Sequence, residues 1–289
     1  MPKSILLIGP PGSGKTVSLE TLPGGTVDIN FDPGGWKSLD RPLVTDPVTI
    51  ELLRSGKKLG RIPKKLRFAA EESKDDPTLK GWLSHKEHHL ERDEILIVDY
   101  QPTTNKIQLS KAPLYATDTF IKSSTDINIL SEPIAKGRGI CHVAGDSLTW
   151  WQWAVLEAIV IFRGSTASGY LGPDQDVYGK AIEKMKEIID TCCHIPFDFI
   201  LTAHIQSDKD DKIGRIKEEI AIYGKKLPEI IASAIDDIYF CADQGGGKYT
   251  WSAHSQDFLK AMRTRNFDYL PITFDANFTK LYGDRLYHE

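Results

Sequence analysis

The chain has 289 residues, of which 40% are apolar and 26% charged, an ordinary globular composition with room for one large α/β domain or one domain carrying an insertion. A formal net charge of −4 excludes a global field that gathers nucleic acid, so any polyanion must be met by local patches. The four cysteines (Cys141, Cys192, Cys193, Cys241) form no CxxC pair, the apolar stretch 150–162 is broken by Gln152 and Glu157, and the first residues run straight into a strand. These features predict a reduced, cytoplasmic setting with no membrane partner.

In chain order, Ser4–Ile8 reads as a buried strand, 15–22 as a helix stopped by Pro23-Gly24-Gly25, and 26–31 as a second strand closed by Asp32-Pro33-Gly34-Gly35. This is a βαβ unit. Residues 51–135 lack sustained apolar periodicity, apart from the strand-like 94–99. They read as an insertion, an accessory segment or a poorly recognisable part of the domain, between core segments 1–50 and 136–289. From Gly139 the alternation returns: a strand at 140–144, helices at 148–162 and 180–193, and a strand at 197–202. A charged loop over 206–217 follows, then a helix at 227–234 and strands near 237–242 and 248–253. Segments 258–264 and 271–275 are late strand candidates. Short apolar strands alternating with helices predict an α/β fold with a mainly parallel sheet covered on both faces.

Gly9-Pro10-Pro11-Gly12-Ser13-Gly14-Lys15-Thr16 completes GxxxxGK[ST] between a strand and a helix. Glycines let backbone N–H groups wrap phosphate oxygens, and the helix N-terminus faces the same anion. Lys15 supplies a point charge to the β/γ-phosphates of ATP, and the Thr16 hydroxyl ligates Mg²⁺. Such a loop needs a carboxylate at a neighbouring strand end to hold Mg²⁺ through water. Asp99 closes the cleaner apolar run. Asp146 has the better context, strand then Asp then a strong helix, and it also suits a helix cap. Asp32, at the end of the second strand, suits a general base for the attacking water or a turn former. His204, at the tip of Leu201-Thr202-Ala203-His204, suits a γ-phosphate sensor or a satisfied surface histidine.

The order of these blocks, with Gly224-Lys225-Lys226-Leu227-Pro228 after them, resembles phage-type nucleotide-binding proteins with a RecA-like ATPase core, some of them recombination and annealing proteins. The resemblance covers about 1–50 and 136–275. It implies Asp32 as the acidic base, where RecA-like proteins usually carry Glu, and His204 as the sensor. It implies that Arg263 and Arg265, a basic-x-basic pair, reach the γ-phosphate of a neighbouring subunit, so that hydrolysis needs a homo-oligomer. It also points the loops 163–180 and 206–217 at DNA.

A basic cluster in 54–67 (Arg54, Lys57, Lys58, Arg61, Lys64, Lys65, Arg67) suits phosphate contact or a solvated loop balanced by Glu71, Glu72, Asp75 and Asp76. His85 and His89 at i,i+4 read as a surface helix more readily than as a metal pair, and Trp150, Trp151 and Trp153 as helical core packing. The functional expectation is an ATP-dependent, Mg²⁺-using ATPase acting on single-stranded DNA in recombination or annealing. The alternatives are an ATPase of phage DNA packaging or assembly with a protein partner, and a small-molecule kinase.

Overall fold

Ser4–Ile8 form strand β1, and every one of its residues is buried. The computed structural model describes residues 3–32, 39, 43–45, 66–68, 79–99, 121, 123–162, 175–209, 216–224, 226–253, 262, 264 and 271–282. After β1 come helix α1 (Lys15–Ser18), strands β2 (Gly25–Asn30), β3 (Leu43–Thr45) and β4 (Leu66–Phe68), helix α2 (Leu79–Ser84), strand β5 (Ile95–Asp99) and helix α3 (123–130). Strand β6 (Ile140–Asp146), helices α4 (Leu148–Phe162) and α5 (Gln175–His194), and strands β7 (Asp198–Ala203), β8 (Ile205–Lys209) and β9 (Ile216–Ile220) follow. Helix α6 (Leu227–Ala234), strands β10 (Asp237–Asp243), β11 (Tyr249–Ser252) and β12 (Thr273–Asp275), and helix α7 (Phe278–Tyr282) complete the set.

Ten strands form one sheet in the order β12-β11-β10-β1-β7-β6-β2-β5-β3-β4. From β10 to β4 every pairing is parallel, and β11 is antiparallel to both its neighbours. The fold is α/β with a mainly parallel sheet, as the alternation predicts. Residues 51–135 contribute β4 and β5 to this same sheet.

Side chains alternate between two cores, as pleating requires. Leu6 and Ile8 of β1 join Val27, Leu201, Trp151, Met185 and Ile231 beneath α4, α5 and α6. Ile5 and Leu7 point the other way and join Leu19, Leu22, Trp251 and Phe278 beneath α1 and α7. Both faces being covered explains why the central strands read as continuous apolar runs.

Several boundaries differ from the sequence reading. In the charged stretch 206–217, the described residues at both ends are strand rather than loop: β8 and β9 pair antiparallel, with Ile205 opposite Ile220 and Asp208 opposite Lys217. Its polar middle gives no apolar alternation, which hides a two-stranded ribbon from pattern reading. Helix α5 begins at Gln175 rather than near 180. Its first turn carries a Lys180–Asp176 ion pair at 3.6 Å and only Val177 in the core, so the apolar stripe starts late. Helix α2 stops at Ser84, before His85, so His85 and His89 do not share a helix face. The Arg138 guanidinium donates to the carbonyls of Leu83, His85, Lys86 and His88 at 2.7–3.0 Å and turns the chain there. Among the tryptophans, Trp151 is fully buried but Trp150 is 40% exposed, because neighbours on a helix point about 100° apart. The candidate strand at 258–264 lies largely outside the described residues.

Trp251 stacks on Tyr239 with centroids 5.6 Å apart and meets Phe278 edge-on at 4.6 Å. We expect Trp251→Ala to destabilise the chain by about 3–5 kcal/mol, read from the urea midpoint with the slope unchanged.

Candidate functional site

The carboxyl ends of β1, β7, β6 and β2 are neighbours, and each delivers a polar group to one edge of the sheet. Open parallel sheets place ligands at that edge. From β1 the chain enters the Gly9–Thr16 loop and then α1. Gly14 holds φ +84°, a left-handed conformation that favours glycine. A methyl group built on it would lie 2.3–2.8 Å from the Tyr249 ring. Position 14 is therefore closed to other residues on two counts.

Lys15 is buried, and its ammonium donates to the carbonyls of Gly9 (2.9 Å) and Pro10 (2.8 Å) and to Ser13 Oγ (3.4 Å). The charge is thus held inside the loop. Burial pulls its pKa below the ordinary lysine value, against the opposing influence of Cys241, Asp146 and Asp32. Gly12 has no atom within 4 Å of a built Cβ, so the loop's crest is open.

Asp146, at the end of β6, is 1% exposed. Thr16 Oγ1 donates to its Oδ2 at 2.6 Å, and Thr202 Oγ1 donates to its Oδ1. Its backbone carbonyl accepts the N–H groups of Phe31 and Asp32, the latter at 2.9 Å. Asp99 ends β5, two strands further from β1 than β6 is, and pairs in register with Asn30. The Asp146 side chain meets the loop through Thr16.

Asp32 is half-buried. Asn30 Nδ2 donates to its carbonyl at 3.0 Å, and the preceding Phe31 stacks on Trp151 at 4.7 Å. Burial and the nearby Asp146 charge push its carboxyl up to about 6, partly opposed by Lys15. His204 follows β7, and its N–H donates to Thr149 Oγ1 at 3.2 Å. Burial first, and Lys15 second, lower the imidazole pKa, so the ring is neutral near pH 7. Lys15, Asp32, Asp146 and His204 thus form one electrostatic cluster.

Arg263 and Arg265 lie outside the described residues, as do Lys225, most of the basic cluster at 54–67 and most of the loop 163–180. Thr202 and Thr149 carried no role in the sequence reading. The signal for Thr202 was its parity: it stands two residues before His204 on a strand whose end must face the loop. Among the described residues, no group of three or more His, Cys, Asp or Glu could hold a metal, and no helix is long and apolar enough to cross a membrane.

No family model and no curated protein matches the sequence. Among solved structures, the chain is similar to an ATPase from the type III secretion system of pathogenic bacteria, with 10% identity and a TM-score of 0.36 over 84% of this chain. The match spans 52% of that protein, so this chain corresponds to about half its length.

Thr202→Val keeps the shape of the side chain and removes the donor to Asp146. We expect a loss of about 1–3 kcal/mol of stability, read from the urea midpoint, with Thr202→Ser restoring it.

Proposed function

We propose that the chain is a Mg²⁺-dependent ATPase with a RecA-like site. The observation that carries this reading is Asp146, whose carboxylate joins the loop's Thr16 to the strand bearing His204, with Asp32 beside it. Thr16 and Asp146 offer only oxygen donors. That set fits Mg²⁺, which takes one or two protein oxygens and completes its octahedron with water and phosphate. When bound, the ion neutralises charge on the β- and γ-phosphates.

This chain's own residues supply the rest. The loop N–H groups and Lys15 bind and orient the phosphates. Asp32 accepts a proton from water as the water oxygen bonds to the γ-phosphorus, and the bond to the β-bridging oxygen breaks to release ADP. A carboxyl titrating near 6 is about nine-tenths ionised at pH 7, and it is more basic than a free aspartate. His204, neutral and following β7, would hydrogen-bond the γ-phosphate in this reading. Hydrolysis completed by Arg263 and Arg265 of an adjacent copy remains part of the proposal.

The finer reading is action on single-stranded DNA in phage-type recombination or annealing. Two features support it. The β8–β9 ribbon is rooted on the sensor, since Ala221 N–H donates to the His204 carbonyl at 2.8 Å. Beside that root, Gln152 bonds both backbone groups of Tyr223, at 2.6 and 2.8 Å. Tyr223 (49% exposed) offers a ring face for base stacking there.

We expect Lys15→Ala to abolish ATP binding, and Asp32→Asn to keep binding while slowing phosphate release about 10²–10⁴-fold. Equilibrium binding and single-turnover hydrolysis check both, and full hydrolysis by Asp32→Asn would overturn the assigned base. Single-stranded DNA is expected to stimulate hydrolysis and to be retained with ATP, alongside a concentration-dependent oligomer. Absence of stimulation, retention and assembly would sink the DNA reading in favour of a protein partner. Transfer of phosphate to a small molecule in place of water would indicate a kinase.

A further inference from the structure

We infer that Tyr249 is the stacking platform for the nucleobase, and that the β10–β11 hairpin lines the base end of the nucleotide site. This rests on the nucleotide reading above and adds the direction in which the ligand lies.

That direction follows from strand order. Asp146, Asp32 and His204 belong to the ends of β6, β2 and β7, all on one side of β1. They define where the γ-phosphate and its metal lie. A nucleoside triphosphate is a linear molecule threaded through the loop, so its nucleoside must leave on the opposite side of β1. The strands on that side are β10 and β11.

Tyr249 opens β11 there. Its ring lies against the backbone of Gly14, so close that no side chain fits between them. Tyr249 is only half-buried, and the hairpin tip that precedes it is glycine at three successive positions. Gly245, Gly246 and Gly247 all have positive φ, and a Cβ built on any of them meets nothing within 4 Å. A planar group approaching the half-buried ring therefore meets a tip whose three central residues carry no side chains.

The platform is also fixed in place. Trp251 shares the face of Tyr249 by strand alternation and is fully buried among Tyr239, Phe274 and Phe278. The Tyr249 carbonyl accepts the Ala276 N–H at 3.0 Å, and Gln244 N–H closes the hairpin on the Lys248 carbonyl at 2.8 Å. An aromatic face held this rigidly loses little entropy on stacking.

The experiment compares Mg²⁺·ATP with inorganic tripolyphosphate, which shares the phosphates and lacks the base, by calorimetric titration of the full chain. Tyr249→Leu fills the space beside Gly14 without an aromatic face. It is expected to weaken ATP about tenfold and to leave tripolyphosphate within about twofold. Tyr249→Phe is expected to bind both like the wild type, because stacking needs no hydroxyl. Equal losses for ATP and tripolyphosphate would make the ring a mere brace for the loop and overturn the inference, as would unchanged ATP binding by Tyr249→Leu. Failure of the wild-type chain to bind either ligand, or undiminished binding by Lys15→Ala, would instead bring down the nucleotide reading beneath it.

Discussion

The carboxylate of Asp146 is the point on which the site depends. It sits at the end of β6 almost without solvent, and a buried charge is tolerable only where donors replace the lost water. Two hydroxyls do so, Thr16 from the loop and Thr202 from β7, while the backbone carbonyl of the same residue gathers the N–H groups of Phe31 and Asp32. Three segments distant from β6 in sequence therefore converge on one residue. Their convergence requires correct register. Asp146 has the parity of Ala144 and Thr202 that of Ile200, and both of those lie in the core beneath α1. A one-residue slip of β7 would bury Thr202 on the opposite face and withdraw the donor. The apolar rows that bury the strands are thus what aims the polar groups at their ends.

The same convergence shapes the electrostatics. Two carboxylates, an ammonium and an imidazole share a poorly hydrated edge. Burial is the leading cause of each shift: Asp32 upward, Lys15 and His204 downward. Each shift moves its group toward neutrality, and each is moderated by an opposite charge nearby. A cation bound beside Asp146 would relieve the repulsion that Asp32 feels, so metal binding and the readiness of Asp32 to accept a proton are linked.

Legibility in the sequence varied with the length scale of the constraint. The strand, loop and helix of the first eighteen residues were readable, since their constraints are local: the left-handed conformation at Gly14, for one, favours glycine. Strand ends were readable because parallel strands buried on both faces appear as apolar runs that stop at a polar residue. The choice between Asp99 and Asp146 could not be read from the runs alone. It depends on strand order, which places β6 near β1 and β5 farther away. Thr202 and Tyr249 were hidden for a related reason. Each acts through a residue more than fifty positions distant, and neither breaks a local pattern. The ribbon β8–β9 was missed because its middle is polar on both faces, and the end of α2 because Arg138, 54 residues beyond Ser84, terminates the turn.

The edge that carries the Gly9–Thr16 loop also anchors the ribbon, and the bonding ties the two together. His204 donates its N–H to Thr149 on α4 and accepts at its carbonyl from Ala221, the residue after β9. Helix α4 itself begins directly after Asp146 and reaches the far root through Gln152, whose amide satisfies both backbone groups of Tyr223. Gln152 is buried, so breaking that clamp would leave amide and backbone groups without partners and is costly. The ribbon therefore has no independent hinge at its base. A displacement of His204 relative to Thr149, of the kind a γ-phosphate hydrogen bond would cause, must either strain the Ala221 bond or carry the root of β9 with it. The root is itself held, since Ile220 and Ile222 are buried in the core beneath α4 and α5, so such a displacement is transmitted to that core along either path.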